Sequence, residues 1–124
     1  MPNQWPDFAK LPKLKTARSV LIDEGNGLAE RTNGEVRFHV ESEPSGNKGG
    51  FLHRCFLVVP KVNYRYPLMR VVQDGLNYPV TVVADIFPEG GAANNEAQLR
   101  QVLGRVFQSD VVKNVVLQLL DLLS

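Results

Sequence analysis

One cysteine, two histidines and eight arginines carry the most distinctive chemistry in this chain of 124 residues. Cys55 is the candidate nucleophile, with His53 two residues before it and His39 on what reads as the neighbouring strand. In an extended strand, residues 53 and 55 share a face at about 6 to 7 Å, too far for a thiol-to-imidazole hydrogen bond. A catalytic thiol also needs surroundings that stabilise its thiolate, whereas Cys55 falls inside the apolar run FLHRCFLVV. It is expected to be a small buried core residue, and no catalytic residue is assigned.

A metal site would have to assemble from His39, His53, Cys55 and Asp85, because no H-x-x-x-H, C-x-x-C or H-E-x-x-H spacing occurs. No metal or other cofactor is expected. The glycines of GNG (25–27) and EGG (89–91) lack the frame of a phosphate-binding loop, and no serine stands in a G-x-S-x-G elbow. The acidic neighbours Asp23-Glu24 and Glu41-x-Glu43 could divide acid and base roles only if their environments separated their pKa values. Solvated positions are the simpler expectation for both.

The arginines are placed more suggestively. Arg37, Arg54, Arg65 and Arg70, four of the eight, fall in segments that read as strands. If helices cover one sheet face, the other is expected to bear arginine and tyrosine. Such a surface suits recognition, because guanidinium groups pair with carboxylate or phosphate and stack on aromatic rings. The alternative is cross-strand pairing with Glu35, Glu41 and Asp85 on an ordinary wet face. Within NYRYP (63–67), Tyr64 and Tyr66 share one side of an extended chain while Arg65 takes the other, and Pro67 marks a strand entrance or an edge.

These features favour a non-catalytic adaptor, chaperone-like or inhibitor-type module that binds a protein partner through Arg37, Arg54, Arg65 and Arg70. The competing reading is a small-molecule binder or enzyme with a pocket between sheet and helices, built from His39, His53, Arg54, Tyr66 and Asp85. A net charge of +1 supplies no broad positive field, and the basic-aromatic signature of RNA-recognition sheets is missing, so nucleic acid is not the expected partner. A lone cysteine excludes an intramolecular disulfide. The opening MPNQWPDFAK has neither the apolar core nor the positive run of a leader, and no stretch of eighteen apolar residues occurs. A cytoplasmic protein without a membrane partner is expected.

The elements that must position these residues are legible from periodicity. Residues 1–15, with Pro2, Pro6 and Pro12 among Trp5, Phe8, Leu11 and Leu14, read as an irregular arm packed on the body, and 16–124 as a single domain. Thr16 caps a helix that runs towards Gly34; Gly25 and Gly27 each cost it about 1 kcal/mol relative to alanine, so packing must hold it or it kinks. EVRFHVE alternates with period two, the turn-rich SEPSGNKGG follows, and FLHRCFLVV, YPLMRVVQ and YPVTVVADIF supply three further strands. PEGGAANN is expected to end the sheet. Asn94 or Asn95 then caps a helix over EAQLRQVLGRVFQ, and Ser109 a last one over VVKNVVLQLLDLLS.

The predicted fold is α+β, a four-stranded antiparallel meander with helices packed on one face in the order α-β-β-β-β-α-α. The last helix is apolar over more than the stripe one sheet can bury, which points either to a helix sandwiched between the sheet and the preceding helix or to a homodimer through it or through a sheet edge; a homodimer is expected.

Overall fold

The computed structural model describes residues 4–12, 14–45, 49–84 and 87–124. Helix α1 spans Ala17–Arg31, and the strands are β1 Arg37–Ser45, β2 Gly50–Val59, β3 Tyr64–Gln73, β4 Val80–Ala84 and β5 Phe87–Ala93. Helices α2 (Glu96–Phe107) and α3 (Asp110–Asp121) complete the chain. All strands pair antiparallel with their sequence neighbours, in the order β1-β2-β3-β4-β5.

The α+β class and the meander are as expected, but the described residues form a sheet of five strands and not four. The fifth strand comes from PEGGAANN, read above as a terminator. Its glycines hid it: Gly91 lies opposite Val82, and a Cβ there would come 2.7 Å from Val102 Cγ1 of α2. The helix sits so close to the edge strand that the position carries no side chain, and the alternation by which a strand is recognised is lost.

Helix α1 is continuous through Gly25 and Gly27. Thr16 Oγ1 accepts from Ser19 N at 3.1 Å, and Gly34 N closes the C-terminal turn on Ala29 O at 2.7 Å, with Asn33 and Gly34 both at positive φ. Asn95, not Asn94, caps α2 by accepting from Gln98 N, while Gln98 Oε1 accepts from Asn94 N, one residue before the cap. Ser109 caps α3.

The core lies between the helices and one sheet face. Val40, Cys55, Leu57, Val71, Val80 and Val82 pack with Val20 and Leu21 of α1, Leu99 and Leu103 of α2, and Val112 and Leu119 of α3. Arg100 bolts α2 to α1 at the rim: Nη1 donates to Glu24 Oε1 at 2.6 Å and Asp23 Oδ2 at 3.0 Å, and Nε to Glu96 Oε2 at 3.2 Å. Asp23 and Glu24 thus serve as anchors for a guanidinium whose pKa they raise further above its ordinary value. Trp5, Phe8, Leu11 and Leu14 of the arm are exposed and are not laid in the core; Trp5 and Phe8 stand 6.3 Å apart, ring to ring.

Candidate functional site

Strand alternation assigns the side chains to two faces. On the helix-covered side lie Val40, Cys55 and Met69, which stand opposite one another across β1, β2 and β3. The residues between them face away from the helices. Arg37 stands opposite Val58, and Val58 opposite Arg65; Glu41 opposite Arg54, and Arg54 opposite Arg70. All four arginines singled out in the sequence therefore share the helix-free face, with His39, Glu41 and Glu43 of β1 beside them. Half-buried Leu52, Phe56, Val58, Val72 and Val83 form the apolar ground between the charges.

Carboxylates engage two of the four. Arg65 Nη2 pairs with Glu41 Oε1 at 2.8 Å, and Arg54 Nε donates to Glu43 Oε1 at 3.0 Å. His39 Nε2 lies 3.8 Å from the other oxygen of Glu41. The Arg65 guanidinium also lies over the Phe56 ring, 4.2 Å from its centroid. Arg37 donates from Nε to Gly34 O at 3.4 Å, and Arg70 makes no ion pair among the described residues. Of the expected carboxylate partners Glu41 pairs and Glu35 does not among the described residues, while Glu43, not among those expected, takes Arg54; part of the positive charge is left unmatched. Asp85 lies outside the described residues.

Between Cys55 and Phe56 the β2–β3 register shifts, so that Leu68 has no partner on β2. Such a bulge bends the strand and opens its surface. A hollow of about 280 Å³ lies here, lined by Arg54, Phe56, Pro67, Arg70 and Val83 on the open face and by Cys55, Leu68 and Met69 beneath.

The tyrosines do not join the arginines. Tyr66 lies opposite Leu57 and packs against the core, and Tyr64 lies opposite Val59 on that same side. Phe56 is the aromatic partner of the arginine face. Its position two residues after Arg54 was the available signal, masked because FLHRCFLVV is apolar on both faces.

The alternative pocket set does not converge. His39 and Arg54 lie on the open face, His53 and Tyr66 on the covered one. His53 is buried within a ladder across three strands: Ser42 Oγ lies 2.7 Å from His53 Nδ1, His53 Nε2 lies 3.0 Å from Gln73 Oε1, and Gln73 Nε2 donates to Gly75 O at 2.9 Å. Because the Gln73 amide gives its donor to Gly75, its oxygen accepts from His53 Nε2–H, and Nδ1 then accepts from the Ser42 hydroxyl. This network satisfies a buried imidazole and was invisible in sequence, where its members are eleven and twenty residues apart.

Cys55 is buried; its Sγ lies 4.0 Å from His53 O, and burial pushes its thiol up to about 12. A protonated thiol of this kind is a poor nucleophile.

A separate cleft of about 660 Å³ does open between helices and sheet, walled by Leu28 of α1, Phe38 and Leu57 of the sheet, Phe107, and Val116 and Leu120 of α3, with Arg31 and Lys113 at its rim. Of the residues proposed from sequence for a pocket, the four described ones, His39, His53, Arg54 and Tyr66, do not line it.

Among the described residues no three His, Cys, Asp or Glu side chains gather as metal ligands would, and no helix is long and apolar enough to cross a membrane. No protein-family model matches the chain, and neither a curated protein nor a solved structure matches it.

Proposed function

We propose that the protein is a binding module that recognises a protein partner through the helix-free face of its sheet. The observation that carries this reading is the convergence of Arg37, Arg54, Arg65 and Arg70 on one face, around half-buried Phe56. Arginine and aromatic residues on an apolar ground are the side chains that dominate protein interfaces. Glu41 and Glu43 on the same face work against polyanion binding and favour a partner of mixed charge.

Affinity capture by the wild-type protein against Arg65→Ala tests it. Removing Arg65 costs the fold little, since its pair with Glu41 is about half exposed and such pairs contribute at most about 1 kcal/mol. A partner retained by the wild type should be lost on the variant and kept by Lys113→Ala on the helix side. Equal capture by all three rejects the reading.

The cleft between α1, α3 and the sheet supports a second reading, an apolar small molecule held there. Its volume is within the ordinary range for ligand sites. Native mass spectrometry of the purified protein should then record a bound mass that Val116→Arg removes; the same spectrum for both proteins rejects it.

A further inference from the structure

We propose that the hollow at the β2–β3 bulge is a receptor for the carboxylate of an acidic side chain in a partner's peptide segment, held between Arg54 and Arg70. The proposal rests on the reading that the open face binds a protein, and names the chemistry it selects.

Arg54 and Arg70 stand directly opposite each other on adjacent strands, an arrangement of like charges that destabilises a sheet. Among the described residues one carboxylate offsets it: Glu43 meets Arg54 through Nε, and Arg70 pairs with none. The Arg54 terminal nitrogens and the whole Arg70 fork are thus left for a bidentate acceptor, the geometry a carboxylate offers.

The hollow between the two arginines is built, not incidental. The register shift places the unpaired Leu68 in its wall, and Pro67 at its rim donates no backbone hydrogen bond. Phe56, Pro67 and Val83 give it an apolar lining. Its volume of about 280 Å³ is small for a drug-sized ligand and suits one side chain with part of its backbone. An anion bound there gains two guanidinium partners on a surface partly shielded from water, and relieves the repulsion between them.

Charge on the rest of the face decides between anions. Glu41 and Glu43 lie on β1 next to this site, and the whole chain carries only +1. A nucleic-acid strand would bring several phosphates against those carboxylates, whereas an isolated acidic residue flanked by apolar ones brings a single charge and side chains for the apolar lining.

The probes are a terminally blocked pentapeptide with one aspartate flanked by leucines, its asparagine counterpart, and a short single-stranded oligonucleotide, each titrated against the isotope-labelled protein by NMR. The aspartate peptide should shift amide signals of Arg54, Arg70 and Val83 and bind about tenfold more tightly than the asparagine peptide, the scale of one charge-assisted hydrogen bond. Arg70→Gln should abolish that discrimination while its spectrum elsewhere stays that of the folded wild type. Equal affinity for the two peptides, absence of shifts at these residues, or preference for the oligonucleotide overturns the proposal. If partner capture still depends on Arg65 while the peptides are not distinguished, the open face remains the interface and only the carboxylate receptor falls.

Discussion

The Phe38 ring of β1 fills the space in which a side chain at Gly25 of α1 would begin, so that helix and edge strand meet backbone against ring. Phe38 in turn lies edge-on to Phe107 of α2, with ring centroids 5.4 Å apart. One glycine thereby fixes how closely α1 approaches the sheet, and the sheet's other face is the one left open.

Gly25→Ala is expected to destabilise although it improves helix propensity. The propensity gain is about 1 kcal/mol, while overpacking a filled site costs about 1 to 3 kcal/mol, and the neighbour here is a ring wedged between two helices. Gly27 has open space around its Cβ position, so Gly27→Ala should stabilise by up to about 1 kcal/mol. Urea unfolding of both variants checks the pair; a Gly25→Ala protein as stable as wild type would mean that Phe38 has room to move.

The Cys55 thiol should resist modification in the folded protein. Burial pushes it from an ordinary 9.0 to about 12, which favours the protonated form in the fold relative to the unfolded chain. The associated stability is complete below about pH 9 and is lost as pH rises towards about 12, because the unfolded thiol ionises first. Wild type should therefore lose stability between about pH 9 and about pH 11 more steeply than Cys55→Ala, whatever the cavity costs at neutral pH. A disulfide reagent should label Cys55 slowly in buffer and rapidly in urea; fast labelling in buffer contradicts the buried position.

Tyr78 offers a substitution that should cost nothing. Its hydroxyl is buried without a hydrogen-bond partner among the described residues, and burial, with the Glu96 carboxylate adding and Arg100 opposing, pushes the phenol up. An unsatisfied buried hydroxyl costs about 1 to 3 kcal/mol. Tyr78→Phe keeps the ring in the core and should match or exceed wild type in thermal unfolding. A lower melting temperature would show that the hydroxyl has an acceptor.

Periodicity exposed some of this molecule and concealed the rest for identifiable reasons. EVRFHVE was readable as a strand because one face of β1 is core and the other solvent, and the same alternation placed Arg37 and His39 outward. β5 was not readable because α2 presses on Gly91. The arginine face was legible residue by residue, since Arg65 must oppose Tyr64 and Tyr66 in any extended chain. The hollow was not, because it depends on a register shift that leaves Leu68 unpaired, and register is a property of two strands. The Ser42–His53–Gln73 ladder was hidden for the same reason: three strands must pair before its members meet.

The exposed leucines of α3 and its C-terminal end raise the question of a second copy. Val112 and Leu119 are buried, yet Leu117 is 64% exposed and Leu122 55%. Leu122 lies just past the end of α3; exposed apolar side chains beside an apolar cleft are costly in water and can be covered by a second copy. We expect a homodimer through this helix, and sedimentation equilibrium should give twice the chain mass. Leu117→Lys should return a monomer with unchanged helical circular dichroism, because a side chain so exposed adds little to the protomer's own core. A wild-type monomer at high concentration, or a Leu117→Lys protein that still dimerises, rules the interface out.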